Sequence, residues 1–418
     1  MKSINKRVLI IAYHFPPLQG SSGIQRTLNF AKYLPEYGWE PLVLTAHPRA
    51  YPKVSDDLLA DIPENVKVYP SFAVDTAKHL SLAGRYSKYM ALPDRWIGWS
   101  FGAVPLGLKL IKKYQPSIIL STFPIATAHL IGLGLHKITK IPWVADFRDS
   151  MTEDFYPPDR LVRSVYQNIE KKVVKNCARS VFTTPSTLEM YANRYPEVPQ
   201  QKWVEISNGF DEENFSKVAH DFIENNTPSN ILTFVHSGLL YQEERNPSAF
   251  FQALSELHQQ GFVDGNKVRI TLRASGNEDN YERDLIKYGI DKFVFLAPAI
   301  AYSDALAEMV QADVLLLFQG ESCNHQIPAK VYEYVRAKRP ILALTDKKGD
   351  TAKLLKGLGV KTVYDMNSKE EIIVGIKFLL EAVKSGAISP VPEEQIQLLS
   401  RRNQTKSLAA VFNDVCIS

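Results

Sequence analysis

Cysteine is scarce in this chain. Its 418 residues hold three, Cys177, Cys323 and Cys416, far apart and without a C-x-x-C pair or a Cys/His cluster. Neither a zinc site nor a disulfide framework is indicated, and a reducing compartment is the simpler setting. Charge of one sign is lacking too. The 49 Lys and Arg stand against 45 Asp and Glu, and a net charge of +4 is too small to make nucleic acid the main partner. No run of about 18 apolar residues occurs, so no segment reads as a membrane-spanning helix, and the chain is expected in solution or on a membrane surface. Short repeats and low-complexity tracts are also missing. What is present is ordinary, with 45% hydrophobic and 11% aromatic residues, the composition of a folded chain long enough for two or three domains.

Short apolar runs rich in β-branched residues alternate with stretches of helical period, which is the pattern of βαβ units and a buried parallel sheet. The pattern occurs twice. Arg7 to Tyr13, Pro41 to Thr45, Val66 to Tyr69, Ser117 to Ser121, Trp143 to Asp146 and Ser180 to Thr184 read as strands of a first domain. Ile231 to His236, Val268 to Ala274, Phe293 to Leu296, Val314 to Phe318, Ile341 to Leu344 and Thr362 to Tyr364 read as strands of a second. The intervening YPEVPQQKWVEISNGFDEENF and the polar stretch through ENNTPSN read as a hinge. The expected fold class is therefore α/β, two doubly wound Rossmann-like domains over residues 1–207 and 208–392, with residues 393–418 as a final helix on the first domain. Ligands bind at the carboxyl ends of strands in such sheets, so a site is expected in a cleft between the domains.

Four segments carry chemistry. After the first strand, HFPPLQGSSGIQR sets Gly20, Ser21, Ser22 and Gly23 before a helix. Small residues admit close approach to the backbone, and a helix N-terminus attracts phosphate or hydroxyl oxygens, although an ordinary βα turn has the same look. IPWVADFRDSM puts Asp146, Arg148 and Asp149 at the end of the fifth strand. Two carboxylates around a guanidinium can hold a sugar hydroxyl, or can form a buried ion-pair cluster that pins the loop.

In the second half, FVHSGLLYQEERNP ends a strand at Gly238 and places Arg245 before a helix opened by Asn246 and Pro247. A guanidinium there can pair bidentately with a pyrophosphate, or simply face solvent. ADVLLLFQGESCNHQIPAKVYEYVRAKRPILAL leads an apolar strand into a polar loop and then a helix, with Lys330 in its first turn and Glu333 one turn on. A lysine in a first turn opposes the helix dipole unless an anion compensates it, so bound phosphate is one reason for its placement and a surface i, i+3 pair is the other.

The segments ADFRD, NGFD, HSGLLYQEERNP and IPAKVYEYVRAKRPILAL, in this order along the chain, resemble retaining glycosyltransferases of family 4, with the GT-B fold, and the resemblance covers nearly the whole chain. The resemblance implies that Glu333 binds the ribose of a nucleotide-sugar donor and that Arg245 and Lys330 neutralise its diphosphate. It places Arg148 and Asp149 with them in the catalytic group, beside the reacting carbon. Gly20, Ser21, Ser22 and Gly23, with Gly238, Arg273 and Ala297, would contact the donor. Asp146 and His14 fall on the acceptor side. Many members have a glutamate eight residues before the ribose-binding one, where this chain has His325, and Glu321 is the nearest upstream carboxylate. Many also have a histidine where Arg148 stands here. The group that contacts the donor sugar is therefore unassigned among Glu321, His325 and the histidines. His129, on an apolar helical stretch, reads as a core residue.

The implied reaction is transfer from a nucleoside-diphosphate sugar to a glycan or lipid-linked acceptor in cell-envelope or exopolysaccharide assembly, in the cytoplasm or on the inner face of its membrane. No cofactor and no metal are expected, since fixed cations can stabilise the leaving diphosphate and no D-x-D motif occurs. A nucleotide-sugar epimerase of the same fold and a non-catalytic nucleotide-sugar-binding protein are the alternatives. The stretch from Arg85 to Lys113 mixes Lys88, Arg95 and lysines with Trp96, Trp99 and Phe101, which suits an anionic membrane surface or, equally, a core with a solvated helix face.

Overall fold

The computed structural model describes residues 6–21, 23–221 and 231–417. It divides into two units, residues 1–208 with 401–418, and residues 209–400. Ser22 and the polar stretch 222–230 lie outside the described residues.

The first unit is built on a parallel sheet of β1 (Arg7–Ile11), β2 (Glu40–Ala46), β3 (Lys67–Ser71), β4 (Ile118–Thr122), β5 (Trp143–Arg148), β6 (Arg179–Phe182) and β7 (Trp203–Glu205). Their order is β3-β2-β1-β4-β5-β6-β7. Alternate residues of β1 serve opposite faces: Leu9 and Ile11 join one apolar cluster, Val8 and Ile10 another. A strand buried on both faces needs an unbroken apolar run, and each fully buried aliphatic side chain contributes about 1.5–3 kcal/mol. Pro70 sits in β3, at the sheet edge, where its missing N–H breaks no ladder.

The second unit repeats the plan with β8 (Leu232–Ser237), β9 (Val268–Arg273), β10 (Val294–Ala297), β11 (Val314–Gln319), β12 (Ile341–Thr345) and β13 (Val363–Tyr364), in the order β10-β9-β8-β11-β12-β13. Strand β11 again divides its side chains, Leu316 and Phe318 to one cluster and Leu315 and Leu317 to the other. Strand order reverses between β1 and β4 in the first sheet and between β8 and β11 in the second, the places where such sheets bind ligands.

Two sequence readings change. The hinge segment holds a strand, β7, whose three residues pair with Ser180, Val181 and Phe182 of β6; so short a run among polar residues shows no period. The tail after Pro392 is two helices, Glu393–Leu398 in the second unit and Arg401–Ile417 in the first. Between them Ser400 pairs with Phe210 as an isolated parallel bridge, and the Leu399 carbonyl accepts the Phe210 N–H, which takes that backbone out of helical bonding. The last helix packs Leu408, Ala409, Phe412 and Val415 into the first unit, with Phe412 edge-on to Trp39 at 5.2 Å.

Candidate active site

In the second unit the carboxyl edge at the β8/β11 reversal gathers the cations named from sequence. Strand β8 ends at His236 and Ser237, and Gly238 follows with φ of 110°. The helix Ala329–Arg336 carries Lys330 in its first turn. Lys330 Nζ is buried and has no hydrogen-bond partner, so it is not one half of a surface i, i+3 pair. Burial, and after it the Arg245 charge, bring its pKa down to about 7. Glu333 accepts a hydrogen bond from the Tyr302 hydroxyl at 2.7 Å.

Arg245 follows a tight turn in which its N–H donates to the Tyr241 carbonyl at 2.7 Å. Its Nη1 donates to the Leu239 carbonyl at 3.2 Å, Nε is buried without a partner, and the guanidinium lies over the Tyr241 ring. Across the strand reversal, the Gly320 N–H donates to the Glu244 carbonyl at 2.6 Å, and a Cβ on Gly320 would stand 2.9 Å from that oxygen. Glycine is what lets the two loops meet.

His236 belongs to this edge and was not singled out from sequence. It is fully buried, with Nδ1 donating to the Leu316 carbonyl at 2.9 Å. Burial and then the Lys330 charge push its pKa well down, so the imidazole is neutral. Its position one residue inside the polar end of an apolar strand was the available signal.

Other expectations for this unit shift. Arg273, expected on the donor, grips Glu308 with Nε at 2.9 Å and Nη2 at 2.5 Å, and its Nη1 donates to the Pro298 carbonyl. Its donors are spent inside the unit, so it holds the loop after β10 in place. Ala297 ends β10, and its carbonyl accepts the Ala274 N–H at 2.7 Å. Glu321 is exposed in the turn after β11, and His325 is half-buried further along that loop. Gln319 Nε2 pins the loop by donating to the Cys323 and Gln326 carbonyls at 2.8 and 2.9 Å.

In the first unit, Gly20 has φ of 85° with open space around it, and Gly23 opens the helix Gly23–Tyr33. The Ser21 hydroxyl accepts the Gly23 N–H at 3.2 Å and lies 3.0 Å from His14 Nδ1. Burial and the Arg148 charge bring the His14 pKa down to about 3, so His14 is a neutral hydrogen-bonding group. A Cβ on Gly23 would overlap the Arg148 guanidinium and stand 2.6 Å from His14 Nδ1. Loop, histidine and arginine therefore share one place.

Asp146 is the correction on this side. Its carboxylate, 1% exposed, takes Arg26 Nε at 3.1 Å and Nη2 at 3.0 Å, and accepts the Thr122 hydroxyl at 3.0 Å. Arg26 also donates to the Ser207 and Ile206 carbonyls, each at 2.9 Å. The arginine in the cluster is thus Arg26, not Arg148, and Asp146 faces inward rather than toward an acceptor. An arginine on the apolar face of the helix after the glycine loop was the signal for it. Asp149 is half-buried and makes no hydrogen bond among the described residues. His129 is a core residue: Trp143 Nε1 donates to the Ser121 hydroxyl at 2.8 Å, which meets His129 Nδ1 at 2.7 Å, and burial lowers its pKa to about 3.

The aromatic stretch divides as well. Trp99 is fully buried and bonds Ser71, Trp96 reaches the Ala50 carbonyl, and Phe101 is 78% exposed.

The model of Glycosyltransferase Family 4 matches residues 23–214, a span that begins at the glycine under Arg148 and includes Arg26 and Asp146. The match falls almost wholly in the first unit, which is similar to the domain that this family model describes. No curated protein matches the chain in sequence. Solved structures share its fold over almost the whole length. Sucrose-phosphate synthase from Thermosynechococcus elongatus has a TM-score of 0.69 at 11% identity, covering 98% of each chain. WaaG, a glycosyltransferase involved in lipopolysaccharide biosynthesis, has a TM-score of 0.58 at 12% identity, covering 97% of this chain and 99% of its own. A UDP-GlcNAc 2-epimerase from Methanocaldococcus jannaschii has a TM-score of 0.55 at 10% identity with the same coverage. These likenesses show the GT-B fold of two Rossmann-like domains. Among the described residues, no helix of this chain is long and apolar enough to cross a membrane.

Proposed function

We propose that this chain is a glycosyltransferase, which takes a sugar from a nucleoside-diphosphate sugar and passes it, with retention of configuration and without a metal, to a hydroxyl of a glycan or lipid-linked acceptor in cell-envelope or exopolysaccharide assembly. One observation carries the donor side of this reading: the Lys330 ammonium is buried without a partner at the strand reversal, with Arg245 beside it. The Glu333 charge offsets part of this cation, but a buried ammonium without a hydrogen-bonded counter-ion is costly unless a ligand supplies one, and a diphosphate does so. Glu333, held by Tyr302, is the acceptor for ribose hydroxyls. The bond between the anomeric carbon and the diphosphate oxygen breaks, the acceptor oxygen joins that carbon on the same face, and the acceptor proton leaves with the diphosphate. WaaG's role in lipopolysaccharide biosynthesis supports the cell-envelope setting.

An anionic membrane surface is part of the proposal. The segment before Trp96 exposes Leu80, Leu82, Tyr89 and Met90 beside Arg85 and Lys88, and apolar side chains interleaved with cations suit a headgroup layer.

The test is release of free nucleoside diphosphate from a panel of nucleotide sugars, with and without lipid-linked acceptors. Lys330→Ala and Arg245→Ala are expected to lose activity by about a hundredfold or more; full activity in both would sink the assignment. Acceptor-independent conversion of the donor sugar would instead identify an epimerase.

A further inference from the structure

Arg148 ends β5 with φ of 61°, where the β5/β6 register slips between Asp146 and Arg148. The residue is 8% exposed. Of the five N–H donors of a guanidinium, one is used among the described residues, by Nη1 on the Phe123 carbonyl at 3.2 Å. Nε is buried without a partner. The Nε/Nη2 edge, with which Arg26 holds Asp146 and Arg273 holds Glu308, meets no carboxylate in Arg148. Asp146 is already taken by Arg26, and Asp149 acts on Arg148 through its charge without a hydrogen bond.

The guanidinium lies over Gly23, and a Cβ there would stand 2.9 Å from Nη2. Gly23 begins an 11-residue helix with no acidic residue in its first turn. A helix N-terminus that meets no acidic side chain in its first turn and a buried, under-used guanidinium therefore converge from two separate elements, β5 and this helix.

We infer that Arg148 and the N-terminus of the helix Gly23–Tyr33 form a receptor for an anionic group, a carboxylate or phosphate, carried by one of the two sugars this enzyme handles. That the ligand is a sugar rests on the function proposed above; that it is anionic rests on the geometry. A planar guanidinium matches the two oxygens of a carboxylate or phosphate, whereas a neutral hydroxyl cannot engage its free edge bidentately. His14, being neutral, adds selectivity by hydrogen bonding and brings no charge of its own.

The experiment compares matched ligands that differ in an anionic group. The wild-type protein is titrated, by thermal shift and calorimetry, with nucleotide-linked glucose and glucuronate on uridine, guanosine and adenosine diphosphate. Glucose, glucuronate and glucose 6-phosphate are the free-sugar arm. The charged member of at least one set is expected to bind about tenfold or more tighter than its neutral counterpart. That excess should vanish in Arg148→Met and persist in part in Arg148→Lys. An excess confined to the nucleotide sugars places the anion on the donor, and one confined to the free sugars places it on the acceptor. Equal binding within every set, or an excess that survives Arg148→Met, overturns the inference. If no nucleoside diphosphate binds, the donor proposal fails by itself, and the free-sugar arm still decides this one.

Discussion

Lys330 Nζ occupies the space that a side chain on Gly238 would need: a Cβ built on that glycine stands 2.8 Å from the nitrogen, on a backbone with φ of 110°. Gly238→Ala should therefore strain the turn and displace the ammonium together. We expect nucleoside-diphosphate affinity to fall by about tenfold or more, with a stability loss of about 1–3 kcal/mol. Calorimetry and urea unfolding measure the two. Unchanged affinity would separate Lys330 from the diphosphate.

Lys330 also makes binding pH-dependent. Burial holds its pKa at about 7, below the ordinary lysine range, so the ligand-free protein sheds the charge as pH rises through neutrality. A bound diphosphate restores the proton. Affinity should fall about tenfold per pH unit above about pH 7, with proton uptake on binding. For the ligand-free fold the sign is opposite: the unfolded chain holds this proton more tightly, so stability rises with pH between about 7 and the usual lysine value. Calorimetry in buffers of different ionisation enthalpy reads the proton, and Lys330→Met should abolish the slope.

Arg26→Met leaves the Asp146 carboxylate buried without its ion pair, and Asp146→Leu strands the guanidinium. Each should cost about 3–5 kcal/mol, and the double variant less than the sum, because removing both charges removes the uncompensated one. Urea midpoints give the comparison. Loss of activity in a fully stable Asp146→Leu protein would contradict the structural role.

Glu170 is fully buried and accepts the Tyr191 and Tyr195 hydroxyls at 2.6 and 2.7 Å, Arg194 Nη1 at 2.8 Å and the Thr152 hydroxyl at 3.1 Å. Thr152 lies in the loop just beyond Arg148 and Asp149. Glu170→Gln forces an amide N–H against at least one donor, so a loss of about 2–4 kcal/mol is expected. Faster hydrogen exchange over residues 149–158 would locate it; unaltered exchange there would show that the knot does not hold this loop.

Leu82 is 86% and Tyr89 70% exposed, and Lys88 lies between them. Leu82→Ser combined with Lys88→Glu should lower co-sedimentation with anionic vesicles by about tenfold in low salt, with turnover of a soluble acceptor preserved. Equal sedimentation of variant and wild type would remove the membrane from the proposal.

Much of this was legible in the chain itself. VLLLFQ could only be a strand covered on both faces, and it is β11, buried throughout. The glycine loop, ADFRD, Arg245 and Lys330 lie where apolar runs give way to polar loops, and in a parallel sheet those places are strand ends. Where period was short the reading failed: the three residues of β7 and the break at Ser400 depend on partners found elsewhere in the chain.

The sequence by itself determined two parallel α/β sheets and which side chains stand at their carboxyl edges, because periodicity and breaker residues are local properties. Only the tertiary structure decided which of those side chains are spent. Asp146 is taken by an arginine 120 positions away and Arg273 by a glutamate 35 positions away, while Lys330 and Arg148 are buried with donors left over. The physical reason is that desolvation and pairing depend on which groups meet in space, and spacing along a chain does not carry that information.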